Sequence, residues 1–473
     1  MAVILPTTNT TNLQDVPTEL AEHILTFCHP RDVSRVAQTC KQFHAVVYHT
    51  VDQYLWRELF LLFPFDDLRK SVPVSPETRP TVDDVDWRGE LQRRVFAESI
   101  LLQDMGSVQP EELQVALATV VSTIHLALPS QSAPAGHRTA IPSQNNTWVR
   151  GLLGRSPVFR DRVLSGTEQQ LCCQIRAYLA LEDNPRTAAS ATLDEDGDSE
   201  AEPLDILRSV SRCAVYDLRK YTMKNLWGPY FPLDKKRFAL FPRPQPQVDW
   251  EQVEHIVNVV VMNMREVQDS VYTLMGPKLG LEATRAYSAP GTDARTSGSR
   301  DWAGLEGVWR RFVCFMDYRE LFAFNYSNLK TSLSPTYFNS SQFTEAIRLL
   351  EMRITLTEVD EPTELDYPGC PQLHFDGYAR GLQSRNADVK GIIQRLLDGT
   401  IRWKFETIYD GVPQWSGEGI QIGNVCSAAG LAGIWSGVQH SAGDPAGPFL
   451  MWKIAEGSWL DKDRREQLRM TAV

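Results

Sequence analysis

Residues 392–411, IIQRLLDGTIRWKFETIYDG, decide how the C-terminal part of the chain folds. Asp398-Gly399 is the dipeptide that a two-residue type I′ turn favours, since both central positions take positive φ. Beyond it, Ile401, Trp403, Phe405 and Thr407 share one face of an extended chain, and Arg402, Lys404 and Glu406 share the other. One face is expected to be buried and one to meet water, as in an antiparallel sheet wrapped around a core. Further strands are expected at 348–358, 372–378, 389–397, 400–409, 419–423, 430–437 and 449–454. Upstream, GVWRRFVCFMDYRELFAFNY (307–326) mixes large apolar groups with Arg310, Arg311, Arg319 and Glu320. It reads as two strands joined by a tight turn at Asp317-Tyr318. With about nine strands and no helix between them, a closed barrel is the economical way to remove exposed edges.

Towards the N-terminus the apolar spacing becomes helical. Asp86-Trp87 opens WRGELQRRVFAESILL, with Trp87, Leu91, Val95 and the cluster at 100–102 on one face. Pro110 opens another helix through His125, and more are expected near 168–181, 204–222 and 249–267. Segment 129–147 is rich in Ser, Pro, Ala, Gly and Asn and reads as a flexible loop. Segment 183–203 holds six acidic residues between Asp194 and Glu202. Such a stretch cannot bury enough apolar surface to offset its ordering entropy, so it reads as a solvated insertion, with an acidic recruitment tail as the competing reading. The aromatic, proline-rich stretch 225–247 reads as a packed loop, and its PRPQP run only weakly suggests a polyproline ligand.

The first sixty residues show a different economy. Pro17 suits the opening of a helix in which Leu20, Ile24 and Phe27 follow at i, i+4 and i+7. His29-Pro30 ends it. Val33, Val36, Ala37, Cys40, Phe43 and Val47 make a second continuous stripe, and Leu55, Trp56, Leu59 and Phe60 a third. Three short amphipathic helices cannot bury all their apolar surface against one another, so part of it wants a partner. The competing reading is that they pack only on the body downstream.

The run LQDVPTELAEHILTFCHPRDVSRVAQTCKQFHAVVYHTVDQYLWRELF (13–60) resembles an F-box. Val16-Pro17, Glu19-Leu20, Pro30 with Asp32, Cys40, Phe43 and Leu55-Trp56 stand where that motif has its marked positions, with valine in place of the usual leucine before the proline. The resemblance implies docking on a Skp-family adaptor, and through it a cullin. It carries adaptor contact over to Pro17, Leu20, Ile24, Leu25, Val33, Val36, Cys40, Phe43, Leu55 and Trp56. DWRGELQRRVFA, GVWRRFVCFMDYRELFAFN, GTIRWKFETIYDG, WSGEGIQIG and GIWSGVQHSAGDPAGPFLMWK are similar to a class of fungal F-box proteins. The C-terminal region also resembles a calycin barrel, with Gly307-Val308-Trp309 and Gly433-Ile434-Trp435 as competing opening GxW motifs.

Composition narrows the function classes. A formal charge of −11 over 473 residues disfavours a general nucleic-acid binder. The eight cysteines form no CxxC pair, and no HExxH is present, so neither a metal nor a disulfide framework is expected. No signal peptide or membrane span is expected, and the chain reads as cytoplasmic, nuclear or both. Without a GxSxG elbow, P-loop or GxGxxG motif it does not read as an enzyme, and no cofactor is expected.

The expected fold class is α+β: an F-box at 10–63, a linker at 64–85, a mostly helical region at 86–287 with insertions near 129–147 and 183–203, and an antiparallel barrel-like recognition domain at 300–460. The expected function is that of a substrate-recognition subunit of an SCF-type ubiquitin ligase, binding a protein target of unknown identity. Trp403, Trp415, Arg402 and Lys404 are candidate peptide contacts, against the plainer reading of core or solvated face. Two alternatives are a ligand-sensing barrel that controls recruitment, and a scaffold that binds the adaptor but never the cullin.

Overall fold

The computed structural model of the chain describes residues 16–456 apart from 51, 73–84, 131–140, 162–163, 183–202, 234–244, 268–275, 293–299, 327–332, 341–342, 365, 382–385 and 442. The acidic run 194–202, most of the PRPQP run and the interiors of the 129–147 and 288–300 segments therefore lie outside the described residues.

Four short helices open the fold: α1 (Thr18–Thr26), α2 (Pro30–Ala37), α3 (Lys41–Tyr48) and α4 (Tyr54–Leu62). The stripe from Val33 to Val47, expected to be one helix, is two. The Thr39 hydroxyl donates back to the Val36 carbonyl at 2.6 Å, a local bond that competes with helix continuation. Cys40 then turns extended, and its Sγ accepts from the Phe43 N–H at 3.5 Å, which caps α3.

The middle of the chain supplies α5 (Trp87–Leu101), α6 (Pro110–His125), α7 (Gln144–Arg155), α8 (Val158–Asp161), α9 (Gly166–Leu179), α10 (Pro203–Val215) and α11 (Trp250–Glu266). Helix α7 begins inside the stretch expected to be a loop, because Ser143 Oγ accepts from Asn146 N at 3.2 Å and caps it. Helix α10 stops at Val215, short of the expected 222, and the chain goes on through the 3-10 turns Leu218–Lys220 and Met223–Asn225. The helices pack in series: α4 on α5, α5 on α6, α6 on α9, α9 on α11, and α11 on α10.

The C-terminal region is a closed antiparallel barrel of eight strands: β1 (Gly307–Met316), β2 (Glu345–Val359), β3 (Leu373–Gly381), β4 (Ala387–Arg395), β5 (Ile401–Tyr409), β6 (Val412–Gln421), β7 (Leu431–Gly437) and β8 (Ala446–Ile454). Each strand pairs with the next, and Val308 opposite Ile454 closes the ring. Gly307-Val308-Trp309 therefore opens the barrel, and Gly433-Ile434-Trp435 belongs to β7. The expected second strand after Asp317 is instead helix α12 (Tyr318–Tyr326). Asp317 Oδ1 accepts from the N–H groups of Arg319 and Glu320, and Leu321 and Phe324 turn inward at helical spacing. Eight strands, not nine, close the sheet.

Inside the barrel, Trp309, Phe375, Trp403, Phe405 and Phe449 are buried, with the Arg311 guanidinium between the Phe405 and Phe449 rings at 4.8 and 4.4 Å. Burial lowers the Arg311 pKa to about 9. Glycines make room for the rings: a Cβ on Gly417 would lie 2.5 Å from the Phe405 ring, and one on Gly433 2.8 Å from that of Phe449. Inside the barrel the rings pack on one another, Trp309 against Trp403, Trp403 against Phe375 and Phe405 against Phe449. Gly417→Ala is expected to cost about 1–3 kcal/mol by overpacking, read as a lowered midpoint of chemical denaturation. An unchanged midpoint would mean slack beside Phe405.

The barrel is not a separate body. Val308, Phe312, Ala432, Ile434, Leu450 and Trp452 on its outer wall share one hydrophobic core with the helices, and α11 packs on β1, β7 and β8. The face of β5 expected to meet water does so only in part. Lys404 is exposed, but Arg402 is buried: its Nε and Nη2 donate to Glu418 at 3.1 and 2.8 Å, and the Tyr230 hydroxyl donates to the same carboxylate at 3.2 Å.

Candidate adaptor interface

Helix α1 has two apolar faces. Ala21 and Leu25 point into the core shared with α3 and α4. On the other face Leu20 is 54% exposed, Ile24 50% and Phe27 75%, one stripe along the helix. His23 stands edge-on to Phe27 at 5.2 Å between ring centroids, and exposed Pro17 begins the stripe. Isolated exposed apolar side chains are ordinary; Leu20 and Ile24 on α1 with Phe27 at its C-cap make one exposed apolar patch, a candidate interaction surface. Beside it, partial burial raises the Glu22 pKa, and Asp52 and Glu19 raise it further.

The ten residues expected at the adaptor separate into three groups. Pro17, Leu20 and Ile24 are exposed on α1. Val36 and Cys40 are half-buried. Leu25, Val33, Phe43, Leu55 and Trp56 are buried, and as the chain is folded they offer no surface to a partner. They build the platform instead: the Trp56 indole N–H donates to the Val47 carbonyl at 2.8 Å, and its ring stacks with Tyr48, fastening α3 to α4. Phe27, absent from those ten, is the most exposed member of the stripe, and Leu62 stands exposed at the end of α4. The signal for Phe27 was its place at i+7 from Leu20.

The segment after α4, expected to be a linker, is partly core. Phe65 and Asp66 are buried. Asp66 accepts from Gln144 N at 2.9 Å, from Leu128 N at 3.0 Å and from the Ser143 hydroxyl. Asp66 N donates to Asn145 Oδ1 at 2.9 Å, and Arg94 Nη1 donates to the same oxygen at 3.2 Å. Arg94 is 0% exposed and lies over the Phe60 and Phe65 rings at 4.7 and 4.6 Å. Burial lowers its pKa to about 10, opposed by Glu90 and Asp66, so it stays charged at neutral pH. Electrostatic attraction to two desolvated rings helps to hold that charge inside the fold.

Residues 13–62 match the F-box-like family. The chain thus carries an F-box-like domain, and its four helices are the α1–α4 platform just described. No curated protein and no solved structure resembles the chain closely enough to count as a match. The F-box-like domain suggests an adaptor-linked receptor role, and such domains are typically non-catalytic.

The peptide-contact candidates on the barrel do not converge. Trp403 is core, Arg402 is sealed against Glu418, Trp415 lies half-buried and edge-on to Trp435 at 5.2 Å, and Lys404 is exposed. Among the described residues no group of three or more His, Cys, Asp or Glu could hold a metal ion, and no helix is long and apolar enough to cross a membrane.

Proposed function

We propose that the chain is a substrate-recognition subunit of an SCF-type ubiquitin ligase. It docks on a Skp-family adaptor through the Leu20, Ile24 and Phe27 face of the F-box-like domain and presents its helical body and barrel to a protein target, in the cytoplasm, the nucleus or both. The exposed stripe on α1 carries this reading: beside a core that buries Leu25, Val33, Phe43, Leu55, Trp56, Leu59 and Phe60, it is surface left for a partner. Its part in ubiquitin transfer is proximity and orientation, with the chemistry belonging to the partner subunits.

The test is co-purification of the full chain with a Skp-family adaptor and a cullin. Recovery of both supports the receptor reading. Adaptor without cullin would make the chain a scaffold. Failure to recover the adaptor would reduce the α1 stripe to exposed surface and sink the reading.

A further inference from the structure

At the far end of the helix series from the F-box-like domain lies a groove of about 920 Å³. Helix α10, the end of α11, the 3-10 turn Pro335–Asn339 and the start of β2 form its walls. Its volume suits a short peptide segment or a small ligand. Its apolar wall is unfinished: Ile206 and Val210, one turn apart on α10, are 55% and 38% exposed and face a floor that includes buried Phe338.

The groove's charges limit what it can receive. Deep in the groove, Glu345 accepts from Arg212 Nε at 2.9 Å and from the Tyr216 hydroxyl, so that pair is satisfied within the fold. At the rim, Arg208 Nη1 lies 3.2 Å from Asp205 and Nη2 lies 2.6 Å from Glu266. Two exposed carboxylates share one guanidinium, which leaves the rim one negative charge in excess. Arg208 Nε is buried without a hydrogen-bond partner. Sealed from the groove, it offers no donor to a ligand, and recognition is left to the apolar wall and the rim carboxylates.

We propose that this groove receives a peptide segment of the target protein carrying a large apolar side chain beside a lysine or arginine. The apolar side chain seats on Ile206, Val210 and Phe338. The neighbouring cation takes the free lone pairs of Asp205 and Glu266. The proposal rests on the receptor reading. Four helix–helix interfaces separate α4 from α11, whose end lines the groove, so a bound adaptor leaves it open.

The experiment pans a random peptide library on the purified full chain and measures the enriched peptides by fluorescence anisotropy. The proposal expects apolar residues next to lysine or arginine to be enriched. Val210→Asp is expected to weaken binding at least tenfold, because an ionised group would then meet the seated side chain. The double change Asp205→Asn, Glu266→Gln is expected to weaken it about three- to tenfold at low salt and less at high salt. Enrichment of acidic peptides, no enrichment, or binding indifferent to Val210→Asp would each overturn the proposal. Adaptor capture by the same variants keeps the two readings apart. With the adaptor bound and no peptide selected, the groove proposal alone fails. With peptides selected but no adaptor captured, the receptor reading fails and takes with it the groove's role as a target site.

Discussion

Replacing Leu20, Ile24 and Phe27 together by alanine is expected to weaken binding of a Skp-family adaptor by roughly 100- to 1,000-fold while the chain stays folded. Each side chain holds about half or more of its surface in water. Anchors of this kind, desolvated at an interface, contribute about 1–1.4 kcal/mol apiece, and three give about 3–4 kcal/mol. Little of that belongs to the free chain, since surface substitutions change stability by about 0.5 kcal/mol or less. Leu25→Ala is the control from the opposite face of the same helix. It removes a buried side chain and is expected to cost about 2–5 kcal/mol of stability. Titration calorimetry with the adaptor, alongside denaturation of each variant, separates the two faces. A triple variant that binds like the wild type would remove α1 from the interface.

That contrast marks what the sequence could say about the site. Periodicity identified the helices and even the stripe at Leu20, Ile24 and Phe27, but Ala21 and Leu25 make a second stripe on the same short helix. Spacing cannot tell which stripe the chain keeps for itself; the packing of α3 and α4 decides it. For the same reason Leu55-Trp56, so prominent as a motif, proves to be internal. The barrel was more legible. Asp398-Gly399 and the alternation after it locate a hairpin. Of that pair only Gly399 takes a positive φ, and Leu396 N donates to the Thr400 carbonyl, so the loop is longer than the expected two-residue type I′ turn. One hairpin's pleat then carries to its neighbours through the register. The misreading at Tyr318–Tyr326 has a local cause: YRELFAFNY satisfies both periods, and the capping carboxylate of Asp317 tips it to helix. The burial of Arg402 was illegible because its partners, Glu418 and Tyr230, arrive from another strand and from the helical region.

The junction behind α4 was the least legible feature, since Asp66 finds its partners some 62 to 79 residues further along the chain. Asp66→Ala is expected to destabilise the chain by about 3–5 kcal/mol, the loss typical of removing one member of a buried charged network. The substitution leaves Leu128 N, Gln144 N and the Ser143 hydroxyl without their acceptor and takes away one of the two carboxylates that support the Arg94 charge. Asp66→Asn keeps the shape and one acceptor oxygen but sets an amide N–H against a backbone N–H, so an intermediate loss of about 1–3 kcal/mol is expected. Urea denaturation followed by the fluorescence of Trp87 and Trp148, which flank Phe60 and Phe65, measures both. A loss below about 1 kcal/mol for Asp66→Ala would show that the aromatic packing alone holds the junction. The consequence for function is geometric. Phe60, Phe65 and Arg94 belong to one packed arrangement with α5 and α7, so the F-box-like domain is fixed to the body and not tethered to it. An adaptor seated on α1 would then hold the groove beside α10 at a set distance and direction, which is what a receptor that acts by orientation requires.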